Sequence, residues 1–286
     1  MRVLIVGCGY VGMAVGEMLA NAGHHVFGMR RSAGGGDDLK AVGIEPVVGD
    51  VTQPRRLADL KEAYDWVVNC VGASGGGVEE YRRIYLEGTR NLIEWLSLEP
   101  PQKFVYTSST SVYGQNDGSV VTESSPAEPL AETAKLLRET EEVLLEAAAR
   151  RQFPAVILRV AGIYGPGRGY WFKQFLQGEA RIEGRGDRIL NMIHRDDVAG
   201  AVVAALEKGR VGEIYNAVDN EPVSQREFYK WLAAELGKEM LRFGAEGEGS
   251  QRKRGVTNKK VSNAKLRREL GYEFRYPTFR AWKGAE

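Results

Sequence analysis

The chain has 286 residues, 43% of them apolar, which is enough to bury a large core in one domain or in a domain plus a lobe. Its net charge is +1 with the two signs interspersed, so the composition excludes a general electrostatic attraction to nucleic acid or to an anionic membrane. No apolar stretch approaches the roughly 20 residues that span a bilayer, and the N-terminal apolar run is too short for a signal peptide, so a cytoplasmic location is expected.

The first stretch, MRVLIVGCGYVG at Met1–Gly12, runs four branched apolar residues into a loop with glycine at 7, 9 and 12. This pattern predicts the buried first strand of a parallel sheet followed by a phosphate-binding turn. Gly7 permits the tight turn, Gly9 lets backbone approach a pyrophosphate, and Gly12 lets the next helix pack on the strand. That helix turns its free N–H groups and partial positive charge toward the phosphates, so Tyr10 and Val11 are expected cofactor contacts as well. Val11, Val15, Met18 and Leu19 recur at helical spacing, and Gly23 stands where a C-cap glycine ends a helix.

The second strand, His25–Met29, delivers Arg30 and Arg31 to the place where a carboxylate reads the ribose 2′-hydroxyl of NAD. Arginine there accommodates a 2′-phosphate instead. With Ser32 adjacent and no carboxylate before Asp37, NADP(H) is the expected cofactor and NAD(H) the alternative, against the plainer reading of a solvated basic turn. The third strand, Glu45–Val48, ends at Gly49, Asp50 and Val51, where Asp50 can accept from an adenine amino group, cap the helix after Pro54, or do both. The fourth, Trp66–Cys70, runs into Val71, Gly72 and Ala73, a small-residue turn against which the nicotinamide-side ribose and phosphate can lie. Glycines at 75–77 read as a flexible loop over the site.

Cys8 and Cys70 are too few for a disulfide framework or a zinc site and read as small buried hydrophobes, although neighbouring strands would bring both thiols near the dinucleotide. His24, His25 and His194 lack metal-binding company, so no metal is expected. The basic run at Arg252, Lys253 and Arg254 reads as a solvated loop.

A helix over 79–98 stops at Pro100 and Pro101, and a fifth strand, Lys103–Thr107, feeds TSSTSVYG at 107–114. Its clustered hydroxyls fall at the carboxyl end of a central parallel strand, where ligands bind in open α/β sheets, which makes Ser109 a candidate. A helix over 130–150, a sixth strand at Ala155–Arg159 and the shaped loop AGIYGPGRGY follow. Beyond that loop the βα rhythm breaks. The pattern predicts an α/β fold, a Rossmann-type doubly wound parallel sheet formed by 1–164 with 191–217 returning to it. A smaller C-terminal substrate lobe is expected from 165–190 and 218–286.

Together these residues resemble the extended short-chain dehydrogenase/reductase family, the group that includes nucleotide-sugar epimerases and dehydratases. The resemblance runs through the glycine loop, GDV at 49–51, the turn at 70–73, EGTRNLIEW at 87–95, TSSTSVYG, LRVAGIYGPG at 158–167, IHRDDVA at 193–199 and SNAKLRRELGY at 262–272. It implies a dinucleotide cofactor, a small-molecule substrate and a homodimer through the helices after the fourth and fifth strands.

The departures from that family carry functional information. Its GxxGxxG fingerprint would put a first glycine at Val6. Its YxxxK pair supplies a tyrosine as general acid or base and a lysine that binds the nicotinamide ribose; PLAETAK keeps Lys135 but has Ala131 in the tyrosine position. Tyr85 stands where an asparagine often precedes the GT element, and Leu190 replaces an arginine that commonly grips a diphosphate. A sugar-nucleotide substrate is thereby demoted, with Arg168, Arg185 and Arg188 left as other anion contacts.

The leading reading is an NADP(H)-dependent oxidoreductase or epimerase/dehydratase-like enzyme with a rearranged site around Ser109 and Lys135, its proton coming from Tyr113, Tyr164 or Tyr85. The alternatives are a non-catalytic dinucleotide sensor and a crevice that binds some other ligand.

Overall fold

The computed structural model describes residues 1–282 apart from 61–62, 74, 76, 183 and 240–256. The basic run at 252–254, and Gly76 of the glycine run, lie outside the described residues.

Seven parallel strands form the central sheet: β1 (Arg2–Val6), β2 (His25–Arg30), β3 (Ile44–Val48), β4 (Trp66–Asn69), β5 (Lys103–Ser109), β6 (Ala155–Val160) and β7 (Ile214–Ala217). Their spatial order is β3-β2-β1-β4-β5-β6-β7, so chain order reverses at the β1–β4 junction and a crevice opens beyond the carboxyl ends there. The register keeps those ends level, with Val6 opposite Met29 and Asn69, Asn69 opposite Tyr106, and Ser109 opposite Val160.

The strands are apolar on both faces because helices cover both faces. Val3, Ile5, Val68, Val105 and Val156 join one core, while Leu4, Val6, Val67, Phe104 and Ile157 join the other, as a two-residue side-chain period requires. The covering helices are α1 (Tyr10–Asn21), α2 (Gly36–Ala41), α3 (Pro54–Ala58), α4 (78–96), α5 (Glu132–Arg151), α7 (Arg195–Lys208) and α9 (Ala264–Leu270), while α6 (Tyr170–Leu176) and α8 (Gln225–Glu235) pack in a separate core. Helix α1 begins at Tyr10, one residue before the first apolar position of its helical spacing, with Gly9 at the N-cap position. The long helix predicted over 79–98 is interrupted: α4 contains a π-helical segment at Arg82–Glu87 between the α-helical turns Val78–Tyr81 and Gly88–Leu96.

A third, largely aromatic core draws on Tyr164, Phe172, Phe175, Leu190, Phe228, Tyr229, Phe279 and Trp282. Tyr272 and Phe274 pack on the first core instead, and buried Asp197 of α7 ties down this C-terminal segment. It accepts the Tyr272 hydroxyl and the Arg275 amide, each at 2.7 Å, and the Tyr276 amide at 2.9 Å.

Candidate functional site

The crevice at the β1–β4 junction is a cavity of about 1310 Å³. It runs from Arg30, Arg31 and Ser32 past the glycine loop to Tyr81, Tyr85, Arg168 and Trp171. Gly7 has φ +80°, and a Cβ there would lie 2.7 Å from the Val71 backbone, so the turn after β1 and the turn after β4 touch through glycine alone. A Cβ at Gly12 would meet the Gly7 carbonyl oxygen at 2.8 Å and Ile5 at 2.9 Å, which is the helix-on-strand approach expected of it. At Gly9 the nearest atom to a Cβ would be 3.9 Å away, leaving open space at the N-terminus of α1. Gly7, Gly9, Tyr10 and Val11 all line the cavity, while Gly12 is buried behind it. The amides of Gly7, Cys8 and Gly9 are donated to the Met29 and Gly7 carbonyls, so what the loop offers is the N-terminus of α1 with unfilled room in front of it, which fits a pyrophosphate.

Arg30 does a different job from the one expected. It lines the cavity, but its guanidinium donates to the Cys8 carbonyl at 2.7 Å and the Gly35 carbonyl at 2.8 Å and reaches Met13 Sδ at 3.0 Å, bracing the glycine loop from beneath. Arg31, exposed beside it, is the cation whose charge acts on Asp50. Burial acts to raise Asp50, but the Thr52 amide and hydroxyl, Arg31 and the Gln53 amide outweigh it and hold the carboxyl below its usual range. Asp50 caps no helix. It accepts from Thr52 N at 2.9 Å and Thr52 Oγ1 at 2.8 Å, and the helix after it is capped by Gln53.

Val51, Cys70, Val71 and Gly72 complete the wall beside β4. Burial pushes the Cys8 thiol up to about 11 and the Cys70 thiol up to about 12, so both are protonated at neutral pH and poor nucleophiles. Among the described residues no cluster of three metal-ligating side chains occurs.

Ser109 lines the cavity at the end of β5, its Oγ accepting the Ser111 amide at 3.2 Å. Of the other predicted catalytic side chains Tyr85 lines the cavity, whereas Lys135, Tyr113 and Tyr164 do not. Lys135 does not line the cavity; its side chain is 53% exposed and its Nζ lies 2.7 Å from Glu132 Oε1 on the outer face of α5. Helix α5 faces the cavity with Leu137, two residues and about 200° further round the helix. Ala131 occupies the N-cap position of α5, with no side-chain hydrogen bond to the helix.

Tyr113 is fully buried with its hydroxyl on Asn216 at 2.8 Å and the Arg159 guanidinium 4.7 Å over its ring. Lys259, brought down to about 8 by burial and by the nearby Arg188 charge, donates to the Tyr113 carbonyl at 2.8 Å. Tyr164 is equally buried, with ring centroids 5.6 Å from Phe172, 5.3 Å from His194 and 5.7 Å from Trp282. Burial raises its hydroxyl far above the usual tyrosine range. Neither ring borders the cavity, so neither hydroxyl can reach a ligand held in it.

Ser108, on the cavity wall, donates from its Oγ to Glu141 at 2.6 Å, and behind that wall Arg159 meets the same buried carboxylate through Nε at 3.0 Å and Nη2 at 2.7 Å. The far end of the cavity is walled by Tyr81, Ile84, Tyr85, Ile163, Tyr170, Trp171 and Arg168. Tyr81, Ile84 and Tyr85 recur at helical spacing in the sequence, a signal that could have placed all three on one wall. Tyr10 sits between two cations, Arg168 at 5.0 Å and Arg195 at 5.2 Å from its ring centre. Leu190, at the expected diphosphate clamp, is buried in the third core opposite Val223.

Among known proteins, YeeZ of Escherichia coli K12 is 28% identical over 285 residues, covering 96% of each chain. The 2-alkyl-3-oxoalkanoate reductase of Shewanella oneidensis is 28% identical over 247 residues, 79% of this chain and 63% of that one. A double mutant of DesIV, the dTDP-glucose 4,6-dehydratase of Streptomyces venezuelae solved with NAD bound, superposes with a TM-score of 0.85 at 25% identity over 100% of this chain and 95% of that one. Residues 3–217 match the sequence pattern of the NAD dependent epimerase/dehydratase family, and with the strand order and glycine loop described above the chain belongs to that family.

Proposed function

We propose that this protein binds a nicotinamide dinucleotide across the β1–β4 crevice, NADP(H) in preference to NAD(H), and acts on a small molecule as an oxidoreductase or epimerase/dehydratase-like enzyme with an atypical site. The observation that carries the reading is the cradle itself: Gly7 against Val71, open room at Gly9, the α1 N-terminus, and a cation at the second-strand end. When bound, the dinucleotide supplies or accepts hydride. The chain's own residues hold and orient: the loop at 7–12 grips the pyrophosphate, Asp50 the adenine side, and Val71 and Gly72 the nicotinamide side. Ser109 stands at the β5 end as a hydrogen-bond partner for a substrate oxygen.

The 2′-phosphate reading passes from Arg30 to Arg31 and Ser32, because Arg30 is already engaged with the loop's carbonyls. Calorimetric titration with NADPH and NADH tests it. NADPH should bind more tightly, Arg31→Ala should remove about tenfold of that preference, and Arg30→Ala should weaken both dinucleotides alike. No binding of either dinucleotide would overturn the reading.

Burial of Leu190 in the third core supports a substrate without a diphosphate, and the Shewanella oneidensis relative is named for an oxoalkanoate. A second reading, a dinucleotide sensor without turnover, draws on one observation: α5 offers the cavity Leu137 and turns Lys135 outward. A turnover screen over ketones, aldehydes and sugar nucleotides separates the two. A homodimer through α4 and α5 belongs to the same proposal, and sedimentation checks it.

A further inference from the structure

We propose that Tyr85, on the π-helical segment of α4, carries the proton-transferring hydroxyl of this cleft. The inference rests on the dinucleotide reading above and names the group that handles the substrate's proton there.

Elimination supplies the first argument. Tyr113 and Tyr164 do not border the cavity. Tyr10 does, but its hydroxyl is turned to the lobe side: a Cβ built on Gly165 would stand 2.9 Å from that oxygen and 3.2 Å from His194 Nε2. Tyr170 is half exposed at the rim. Tyr81 and Tyr85 remain, side by side with ring centroids 4.9 Å apart.

Position separates those two. The Tyr85 oxygen accepts the Ala73 amide at 3.1 Å, and a Cβ on Gly72 would lie 3.9 Å from the same oxygen. The hydroxyl is therefore fixed at the turn after β4, which is the nicotinamide side of the crevice in this reading. Tyr85 also lies within Arg82–Glu87, the π-helical stretch, and such local widening of a helix re-aims side chains and recurs at functional sites. Across from it α5 presents Leu137, which has no proton to give. The acid/base hydroxyl has moved from the helix after β5 to the helix after β4.

In the reductive direction the step balances as follows. The Tyr85 O–H bond breaks, its proton joins the substrate's carbonyl oxygen as the C=O π bond opens, and the phenolate recovers a proton from water. The carbonyl carbon gains the hydride and its electron pair from the reduced dinucleotide, the reductant.

The test needs no substrate. Calorimetry of NADP⁺ binding to the whole chain at about pH 9, in two buffers of different ionisation enthalpy, counts the protons released. The positive ring of NADP⁺ beside a phenol favours the phenolate, so a fraction of a proton should leave on NADP⁺ binding and none on NADPH binding. Among the other acids of the cleft wall, burial holds Cys8 at about 11 and Cys70 at about 12 and raises Tyr10, and the remaining phenols, Tyr81 and Tyr170, are separated from Tyr85 by their own phenylalanine variants, with Tyr170→Phe expected to keep the release. Tyr85→Phe should abolish the release while changing NADP⁺ affinity by no more than about twofold, and Tyr81→Phe and Tyr113→Phe should keep it.

Release that persists in Tyr85→Phe overturns the proposal, as does the absence of any difference between NADP⁺ and NADPH in the wild type, a contrast that requires no variant. A loss of affinity beyond about tenfold in Tyr85→Phe also overturns it, because the hydroxyl would then be holding the turn. Failure of both dinucleotides to bind instead removes the proposed function and this inference with it.

Discussion

The two ends of the crevice are built by different means. At the glycine loop, recognition is a property of main chain: Gly7 fits against Val71, Gly9 leaves room, and α1 begins where phosphate oxygens would lie. At the far end, recognition depends on which side chains two packed helices and a loop turn inward. There α5 presents Leu137, and Tyr81, Tyr85, Tyr170 and Trp171 gather around it. Backbone recognition survives changes in side-chain identity, whereas side-chain recognition is lost with a change of helical phase. The two ends of the cleft can thus change independently of each other.

The contrast is sharpest under the cavity floor. Glu141 and Arg159 are buried together, so Glu141→Gln strands a buried guanidinium and should cost about 3–5 kcal/mol in chemical denaturation. Replacing both residues by methionine should recover most of that loss. A double variant no better than the single one would show that the pair is needed for more than charge compensation.

Gly7→Ala tests the main-chain end. It combines a left-handed conformation with a Cβ driven into the Val71 backbone, and should cost about 3 kcal/mol while abolishing dinucleotide binding. Melting curves and calorimetry read both effects. Unimpaired binding would mean that the loop can reshape, and the contrast between rigid main chain and adaptable side chains would fail.

The smallest expected effect is the most diagnostic for the far end. Lys135→Ala removes an exposed ion pair with Glu132 and should change stability by less than about 1 kcal/mol, with dinucleotide affinity unaltered. A tenfold loss of affinity would bring that lysine back to the ribose and restore the conventional arrangement on α5.

The alternation of Val3, Leu4, Ile5 and Val6, the glycine spacing and the order of the motifs were enough to read the parallel sheet, its crevice and the loop at 7–12. Each of these signals is local: a strand's period, a turn's geometry or a cap lies within a few neighbouring residues. The TSSTSVYG stretch likewise led to Ser109 at a strand end, where the structure has it lining the cavity. The π-helical segment in α4 was not legible, since its apolar spacing is compatible with an ordinary helix. Nor was the role of Arg30, whose partners Cys8 and Gly35 come from two separate loops.

Sequence alone determined the architecture and the place of the glycine loop and its crevice, because both follow from short-range patterns that the backbone must obey. Tertiary structure alone decided which side chains face the cleft. Lys135 and Leu137 are two residues apart in one helix, and only the docking of α5 against the sheet turns one to solvent and the other to the cavity. Tyr113 and Tyr164 look as available as Tyr85 in the sequence, but Asn216 and the aromatic third core hold their rings away from the cavity. Burial and helical phase arise from contacts between residues distant in the chain, and a linear motif carries neither.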